Sequence, residues 1–277
     1  MMRTRLFIDS AKTFLTLAND IYVGKSLEVY GEWSYDEIRL LSCLLDTKSN
    51  VIEAGSNIGA HTVFIAKDIC PEGRLFAFEP RRLIFQLLNA NLALNAIDNV
   101  FAYNVGLSDA LSELCEGNFA AEGFANFGGA DLGSVKGDYE HIKITTLDSY
   151  FHVMPKISMI KADVEGYEHR LIMGAQRLIA RDRPMLYLEN DRPEASEELL
   201  THILGLNYNI WWHLAPLYRP DNRAMTQVNI FQNIASHNII CLPKEGIVNN
   251  ISGLEPVTDP KKHPLMAATR PIAMPTS

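Results

Sequence analysis

The chain has 277 residues, of which 47% are hydrophobic and 21% are charged, and this is the composition of an ordinary globular protein. It excludes a small disulfide-stabilised protein and argues against a disordered chain. The 33 acidic residues outnumber the 25 lysines and arginines, which gives a net charge of −8. Such a surface repels phosphate backbones, so we expect no nucleic acid among the partners.

The four cysteines are far apart in the sequence and form no C-x-x-C pair: Cys43, Cys70, Cys115 and Cys241. They therefore encode neither a zinc site nor a disulfide framework, and we expect reduced thiols in a cytoplasmic protein. No run approaches the roughly 18 uninterrupted apolar residues that a membrane-spanning helix needs, so we predict no membrane span.

Residues 1–45 are predicted to form a helical extension. Charged residues interrupt the apolar pattern of residues 1–23, which favours an amphipathic helix over a signal peptide. A second helix is predicted over Ile38–Leu45, behind Trp33 and Tyr35, and we expect it to pack across one end of a sheet.

Residues 46–245 alternate short apolar runs with longer helical patterns, which is typical of an α/β domain with a doubly wound, mostly parallel sheet. Five strands are predicted, and they begin at Val51, Leu75, Val100, Ile157 and Met185. Helical patterns are clearest after the first strand, after the second strand and around Leu171 to Leu178.

Two segments lack this pattern. Between Gly117 and Gly137 the sequence is rich in glycine, which predicts a mobile loop or hairpin between the third and fourth strands, and loops of this length often act as lids. The tail, residues 246–277, carries five prolines beyond Ile251. We expect it to lie over the surface or to be disordered.

The run VIEAGSNIGAHT, Val51 to Thr62, leads from a predicted strand through a glycine turn into a helix. Ligands of doubly wound sheets bind at such strand ends. Gly55 would let the backbone pass close to a ligand, and N–H groups at the start of the helix, after Gly59, could hold an anionic group. Glu53 ends an otherwise apolar strand, where a buried carboxylate needs a cation or hydrogen-bond donors, so we expect a cationic ligand group beside it.

A second carboxylate, Glu79, ends the next predicted strand, 20 residues beyond Gly59. At this position a carboxylate can accept hydrogen bonds from both hydroxyls of a ribose. The glycines follow E-x-G-x-x-x-G rather than the G-x-G-x-x-G of dinucleotide sites, which argues against a nicotinamide-dependent oxidoreductase.

Together these two motifs match the pattern of class I S-adenosylmethionine-dependent methyltransferases. The chain also resembles, in order and spacing, the FkbM family of these enzymes through VIEAGSNIGAHT, FAFEPRRLIFQLLNANLALN, NVGLSD, TTLDSYF, IKADVEGYEHRLIMGA and RPMLYLEN. The resemblance covers about residues 30 to 190, and D-V-E-G-Y-E at Asp163–Glu168 is its most specific part. Glu53 departs from the aspartate usual in the family, which lengthens the side chain by one methylene and keeps its charge.

The resemblance implies a Rossmann-like sheet of seven strands and S-adenosylmethionine as cofactor. Within the cofactor site it implies that the loop after the first strand holds the methionine part, that Glu79 binds the ribose and that the turn from Gly106 to Asp109 lies beside the adenine. Asp163 would lie next to the transferred methyl group. The cofactor-binding residues predicted in this way are Glu53, Gly55, Ser56, Asn57, Gly59, Thr62, Glu79, Ser108, Asp109 and Asp163.

Asp163, Glu165 and His213 are the predicted catalytic residues. Like charges as close as those of Asp163, Glu165 and Glu168 raise one another's pKa or require a cation, so one of them could act as a base. Glu168 could equally be an acid that the dipole of the following helix favours. Asp163, Glu189 and Asp191, at neighbouring strand ends, could share a divalent metal, but no histidines stand at metal-ligand spacing, and we predict no metal.

Two histidines are further candidate bases. His61 lies at the start of the helix after the glycine loop, where the helix dipole would lower its pKa. His213 follows Trp211 and Trp212 in a predicted strand, and this cluster could bind the face of a sugar, or it could be a tryptophan pair of the core with a histidine beside it. Tyr218, Asn222 and Asn229 could supply hydrogen bonds to the acceptor.

The sequence therefore predicts an S-adenosylmethionine-dependent O-methyltransferase that acts on a hydroxyl of a sugar or sugar-containing metabolite. An amine or carboxylate acceptor is an alternative within the same fold, and a non-catalytic nucleotide sensor is a second alternative. The partners expected are a small-molecule or saccharide substrate. The sequence leaves open whether the chain forms a homodimer.

Overall fold

A computed structural model describes residues 4–8, 11–117, 139–246, 251 and 253–267. In chain order the strands are β1 (Thr4–Ile8), β2 (Thr13–Leu17), β3 (Val51–Ala54), β4 (Leu75–Phe78), β5 (Val100–Tyr103), β6 (Gly106–Leu107), β7 (Ser112–Gly117), β8 (Tyr139–Thr145), β9 (Met159–Ala162), β10 (Met185–Glu189), β11 (Tyr208–Pro216), β12 (Ala235–Pro243) and β13 (Glu255–Pro256). The α-helices are α1 (Val23–Tyr30), α2 (Tyr35–Leu44), α3 (Thr62–Phe64), α4 (Arg82–Leu94), α5 (Glu168–Met173), α6 (Gln176–Asp182), α7 (Pro193–Gly205) and α8 (Pro264–Ala267).

The central sheet has the strand order β13-β11-β12-β10-β9-β3-β4-β5. Strands β10, β9, β3, β4 and β5 run parallel, and β11, β12 and β13 pair antiparallel beyond β10. The predicted doubly wound α/β fold is confirmed. Seven strands make up the expected sheet, and the two residues of β13 add an eighth at its edge.

Alternate residues of each central strand enter two separate cores. On one face, Val51 and Met159 pack under α1 to α4, and on the other face Ile52 and Ile160 pack under α5, α6 and α7. All four residues of β9 are buried, so the charged residue among them, Lys161, stands out from its apolar neighbours.

The N-terminal extension begins with a β-hairpin, so the amphipathic helix predicted for residues 1–23 is wrong in its described part. β1 pairs antiparallel with β2, and α1 starts only at Val23. Phe14 and Thr16 of β2 are buried, while Thr13 and Leu15 are partly exposed. This alternation every two residues is typical of a strand and not of a helix. The second predicted helix is present as α2.

The glycine-rich segment between Gly117 and Gly137 lies, apart from Gly117 itself, outside the described residues. The strands on either side, β7 and β8, pair antiparallel, and β6 joins them in a small third sheet. The helix predicted around Leu171 to Leu178 is divided into α5 and α6 at Gly174. A Cβ at Gly174 would lie 2.0 Å from the carbonyl oxygen of Ser108, so the chain passes too close here for any other residue.

Part of the proline-rich tail is ordered against the domain. Glu255 and Pro256 pair with Trp212 and Trp211 of β11, and His263 is buried with its Nε2 2.7 Å from the carbonyl oxygen of Asn190. No helix in the described part of the chain combines the length and apolar character that crossing a membrane requires.

Asn91 of α4 fastens the N-terminal hairpin to the domain. Its Oδ1 accepts the N–H of Leu15 at 2.6 Å, and its Nδ2 donates to the carbonyl oxygens of Leu15, at 3.1 Å, and Ile58, at 2.7 Å. The Asn91 side chain is fully buried.

We therefore expect Asn91→Ala to lower the free energy of unfolding by about 1–3 kcal/mol, because buried backbone groups lose their partners. Urea unfolding followed by circular dichroism measures the change. Asn89→Ala is the matched control, since Asn89 is exposed on the same helix and its side chain bonds, among the described residues, only to the carbonyl oxygen of Phe85, one turn earlier. Equal unfolding midpoints for the two variants would contradict this role of Asn91.

Candidate active site

A cavity of about 380 Å³ lies at the carboxyl ends of β3, β4, β9 and β10. Because these strands are parallel, their last residues meet along one edge of the sheet, where doubly wound folds bind ligands. Glu53, Glu79, Asp163 and Glu189 end or directly follow these strands and all line the cavity. Residues from the N-terminal extension and from the connection between β11 and β12 complete the wall.

Glu53 and Lys161 are register partners on the neighbouring strands β3 and β9, and both are buried. Oε2 of Glu53 accepts a hydrogen bond of 2.6 Å from Oγ1 of Thr62. Burial raises the pKa of Glu53 to about 6, although the charge of Lys161 acts against the rise. Lys161 thus supplies a cation beside Glu53 from within the chain. The carboxylate of Glu53 can still bind a second cationic group.

Lys161 was not predicted as a site residue. Its Nζ lies 3.8 Å from Oε2 of Glu37 on α2. Burial acts to lower the pKa of Lys161, but the carboxylates around it, with Glu37 first, outweigh burial and raise the pKa above its ordinary value. In the sequence, Lys161 is the single charged residue of the apolar run of β9, as Glu53 is in the run of β3.

Glu79 directly follows β4, and its side chain binds the glycine turn that follows β3. Its Oε2 accepts the N–H of Asn57 at 3.0 Å, and its Oε1 accepts the N–H of Arg81 at 2.8 Å. Asn57 holds a left-handed backbone conformation, with φ at 51°. Each carboxylate oxygen has further lone pairs, so Glu79 can accept hydrogen bonds from a ligand while it fixes the turn.

The two glycines of the first motif serve the packing of the chain. A Cβ at Gly55 would lie 1.8 Å from the carbonyl oxygen of Asp163, and a Cβ at Gly59 would lie 2.8 Å from Cδ1 of Leu88. Both have positive φ. Gly55 therefore lets the ends of β3 and β9 touch, and it also lines the cavity, where the sequence predicts close approach of the backbone to a ligand.

The structure brings some predicted cofactor residues to the cavity and leaves others outside. Glu53, Gly55, Ser56, Asn57, Glu79 and Asp163 line it. Gly59 lies behind the turn, and its N–H already donates to the carbonyl oxygen of Ser56 at 2.9 Å, so it is not free for an anion. Thr62 lies beneath Glu53 and orients it.

After β5, the residues that line the cavity come slightly earlier in the chain than the predicted residues Ser108 and Asp109. Val105, Gly106 and Leu107 line the cavity there, while Ser108 turns away and donates a hydrogen bond of 2.9 Å to Oδ1 of Asp109. Ser108 and Asp109 are thus neighbours of the site rather than part of its surface.

Three carboxyl groups meet at the ends of β9 and β10. Asp163, Glu165 and Glu189 offer oxygens that all lie within 4.8 Å of one another. Burial and the neighbouring Asp163 raise the pKa of Glu189 well above its ordinary value, and burial also raises the pKa of Asp163. Oε2 of Glu189 has no hydrogen-bond partner among the described residues, and Nη1 of Arg192 lies 3.9 Å from it.

Arg192 supplies positive charge to this acidic cluster. Its Nη2 lies 2.6 Å from Oε2 of Glu165, and its Nη1 lies 3.0 Å from Oδ1 of Asp191. Burial raises the pKa of Glu165 to about 7, and Asp163 adds to the rise. The metal considered from the sequence was assigned to Asp163, Glu189 and Asp191, but the structure places Glu165 in the cluster and pairs Asp191 with Arg192.

Glu168 has a structural place in the same loop. It is the first residue of α5, and its Oε1 accepts the N–H of Val164 at 2.9 Å. The N–H of Gly166 approaches the same oxygen at 3.4 Å. Burial raises the pKa of Glu168 to about 7. This arrangement matches the second interpretation of Glu168, an acid that caps the turn before a helix.

His213, a predicted catalytic residue, does not line the cavity. Its Nδ1 lies 2.7 Å from the hydroxyl of Tyr187, and the imidazole is buried. Trp211 and Trp212 enter opposite faces of the sheet because neighbouring strand residues point to opposite sides. The three residues therefore form no common surface for a sugar.

His61 does line the cavity, but the cause of its low pKa differs from the one expected. Burial lowers the pKa of His61 to about 4. Its Nε2 lies 3.0 Å from the carbonyl oxygen of Trp33, so Nε2 carries the proton of the neutral ring. Tyr218, Asn222 and Asn229 bond within their own loop and do not line the cavity.

Comparisons with known proteins agree with this geometry. The model of the methyltransferase FkbM domain matches residues 53–210, which is more than half of the chain. The methyltransferase sdnD of Sordaria araneosa is 26% identical over 181 residues, which make up 53% of this chain and 70% of that protein.

A solved structure shows the same fold. The crystal structure of methyltransferase FkbM from Methylobacillus flagellatus KT superposes with a TM-score of 0.51 at 18% identity and covers 77% of this chain. This chain spans about half of the length of that protein, 48%.

The match of residues 53–210 includes the strand ends that carry Glu53, Glu79, Asp163 and Glu189. The protein therefore belongs to the FkbM family of methyltransferases and is a methyltransferase enzyme.

Proposed function

We propose that this methyltransferase uses S-adenosylmethionine to methylate a hydroxyl group of a sugar or sugar-containing acceptor. The observation that carries the proposal is that two buried carboxylates, Glu53 and Glu79, end adjacent strands and line one cavity. A second pair, Asp163 and Glu189, lines the same cavity on the other side of β3.

The residues fit this cofactor. Glu53 would hold the amino group of its methionine part, and Glu79, anchored by two backbone N–H groups, would accept its ribose hydroxyls. The chain from Val105 to Leu107 would flank the adenine. When bound, S-adenosylmethionine supplies an electrophilic methyl group on a positively charged sulfur.

Asp163 would take the proton of the acceptor hydroxyl. Glu189 lies beside Asp163, and burial together with the charge of Asp163 raises the pKa of Glu189 well above its ordinary value. Burial raises the pKa of Asp163 above its ordinary value, although Lys161 acts against the rise, and a raised pKa makes the carboxylate a stronger base. Positioning of the acceptor beside the methyl group supplies the remainder of the catalysis.

Removal of Glu79 tests the ribose site. We expect Glu79→Ala to weaken binding of S-adenosylmethionine by about 1.5–3 kcal/mol, the range of a hydrogen bond to a charged group. Isothermal titration calorimetry measures the affinity. Glu198→Ala serves as the control because the Glu198 side chain is 78% exposed and lies outside the cavity. An unchanged affinity in Glu79→Ala would remove the basis of the assignment.

The pKa of Glu53 predicts how cofactor binding depends on pH. Because the pKa is about 6, the carboxylate is ionised at pH 7.5 and becomes protonated as the pH falls through 6. Protonation removes the negative charge that attracts the amino group, so the dissociation constant should rise by up to about tenfold per pH unit below 6. Titrations from pH 5 to 7.5 measure this slope.

Glu53→Gln should bind S-adenosylmethionine more weakly at pH 7.5 and lose this slope. Glu198→Gln should keep both the affinity and the slope of the natural protein. A slope that persists in Glu53→Gln would assign the titration to another group.

Replacement of Asp163 tests the proton acceptor. We expect Asp163→Asn to bind S-adenosylmethionine and to lose methyl transfer by about 100-fold or more, the lower end of general base catalysis. Transfer of a labelled methyl group to a panel of hydroxylated sugars measures this loss. Asp98→Asn, at an exposed position outside the cavity, is the control.

The same variant separates a hydroxyl acceptor from an amine. An amine can lose its own proton before transfer, so at high pH an amine acceptor would be methylated by Asp163→Asn almost as fast as by the natural protein. That result would contradict the proposed hydroxyl acceptor.

A further inference from the structure

Two segments outside the matched region of 53–210 fold together over the cavity. They are residues 20–38 of the N-terminal extension and residues 217–234 between β11 and β12, and we call them the cap. Tyr30, Leu217 and Phe231 form its small hydrophobic core, which is separate from the two cores of the sheet. The cap therefore has a hydrophobic cluster of its own, while Val23, Leu27 and Ile38 of its first segment also pack into a core of the sheet.

Hydrogen bonds and an ion pair join the two segments of the cap. The hydroxyl of Tyr30 donates to the carbonyl oxygen of Val228 at 3.1 Å and accepts the N–H of Ile230 at 2.8 Å. Nε of Arg219 lies 3.2 Å from Oε1 of Glu32, and both side chains are buried. These contacts fix the cap, so its inner surface has a defined shape.

The inner surface of the cap is aromatic and apolar. Tyr22 and Trp33 line the cavity and pack against Phe231, with ring centroids 6.0 and 6.3 Å apart. Leu217 and Ile234 line it from the second segment. The hydroxyl of Tyr22 and the indole N–H of Trp33 donate to no described residue, so both can donate to a ligand.

The second segment of the cap joins β11 to β12, on the side of the sheet that the proposed cofactor contacts do not use, and Trp33 of the first segment is joined through its carbonyl oxygen to His61, after β3. Ser236 and His237 at the start of β12 and Glu189 at the end of β10 line the cavity on the side of the second segment. Strands β3 and β4, which carry Glu53 and Glu79, lie on the opposite side of β9 in the sheet. An acceptor under the cap would thus meet the Asp163 and Glu189 pair from the side away from the ribose site.

The charges around the cavity select against an anion. Six of the described lining residues are acidic and three are basic. Arg192 is held by Glu165 and Asp191, and Lys161 lies among buried carboxylates. The third basic residue, Arg81, is buried and also has an interaction partner. Burial lowers the pKa of both lining histidines, His61 and His237, so neither adds positive charge at neutral pH.

We propose that Tyr22 and Trp33 of the cap bind the methyl acceptor, and that this acceptor is an uncharged polyhydroxylated ring without a phosphate. Aromatic walls with a few polar groups suit a ligand that has apolar faces and a hydroxylated edge. This inference rests on the proposed function and assigns acceptor recognition to the two segments that flank the matched domain.

A binding experiment tests the inference without requiring turnover. The probes are methyl glycosides of common hexoses, each paired with its 6-phosphate, titrated by calorimetry into the protein saturated with S-adenosylhomocysteine. We expect at least one neutral glycoside to bind about tenfold or more tightly than its 6-phosphate. Trp33→Leu should weaken that glycoside about tenfold and change the affinity for S-adenosylhomocysteine less than twofold.

Trp212→Leu is the matched control, because Trp212 packs against His263 and does not line the cavity. It should leave glycoside binding unchanged. Equal or tighter binding of a 6-phosphate would overturn the neutral acceptor, and unchanged binding in Trp33→Leu would overturn the role of the cap. The absence of binding by every glycoside would overturn both parts.

The same experiment distinguishes failure of this inference from failure of the proposed function. A glycoside that binds through Trp33 but receives no methyl group would leave the cap as a binding site and refute the hydroxyl acceptor. Failure of the protein to bind S-adenosylhomocysteine at all would refute the proposed cofactor.

Discussion

The buried ammonium group of Lys161 is the constraint around which the site is arranged. A cation taken out of water in the middle of a sheet costs several kcal/mol unless anions surround it. Glu53 lies beside it in register on β3, and Glu37 reaches it from α2. The acids at the strand ends are thus required by the fold before any ligand binds, and the same acids then face the cavity.

This constraint also explains why the N-terminal extension belongs to the site. Glu37 lies on α2, outside the matched domain, yet it is the carboxylate with the largest influence on Lys161. His61 lies beside Glu37, with Nδ1 3.9 Å from Oε2, and its other nitrogen binds the carbonyl oxygen of Trp33. These contacts therefore join α2 and the backbone at Trp33 to the buried charges at the ends of β3 and β9.

The sequence allowed the parallel strands and the two strand-end acids to be predicted because these features are local. An apolar run, a glycine turn and a terminal carboxylate lie within 12 residues for Glu53, and α4 shows a regular helical repeat. The N-terminal hairpin could not be found in this way. Its strand β2 is only five residues long, and its backbone is bound by Asn91 of α4 and by Asn95 directly after α4, which are 76 and 82 residues away.

The remaining features of the site depend on register and on distant contacts. Lys161 is opposite Glu53 only because β3 and β9 pair with that register, which no local pattern reveals. Trp211 and Trp212 are adjacent in sequence and lie on opposite faces of the sheet. Tyr30 and Val228 meet across 198 residues, so the cap becomes visible only in three dimensions.

The ion pair between Glu32 and Arg219 has a consequence for how such enzymes could diversify. Exchange of one cap segment for that of another enzyme would leave a buried charge without its counterion, at a cost of about 3–5 kcal/mol. The two segments are distant in the gene but must be inherited as a matched set. Chimeras built to change acceptor choice should therefore be recombined at both ends of the catalytic domain at once.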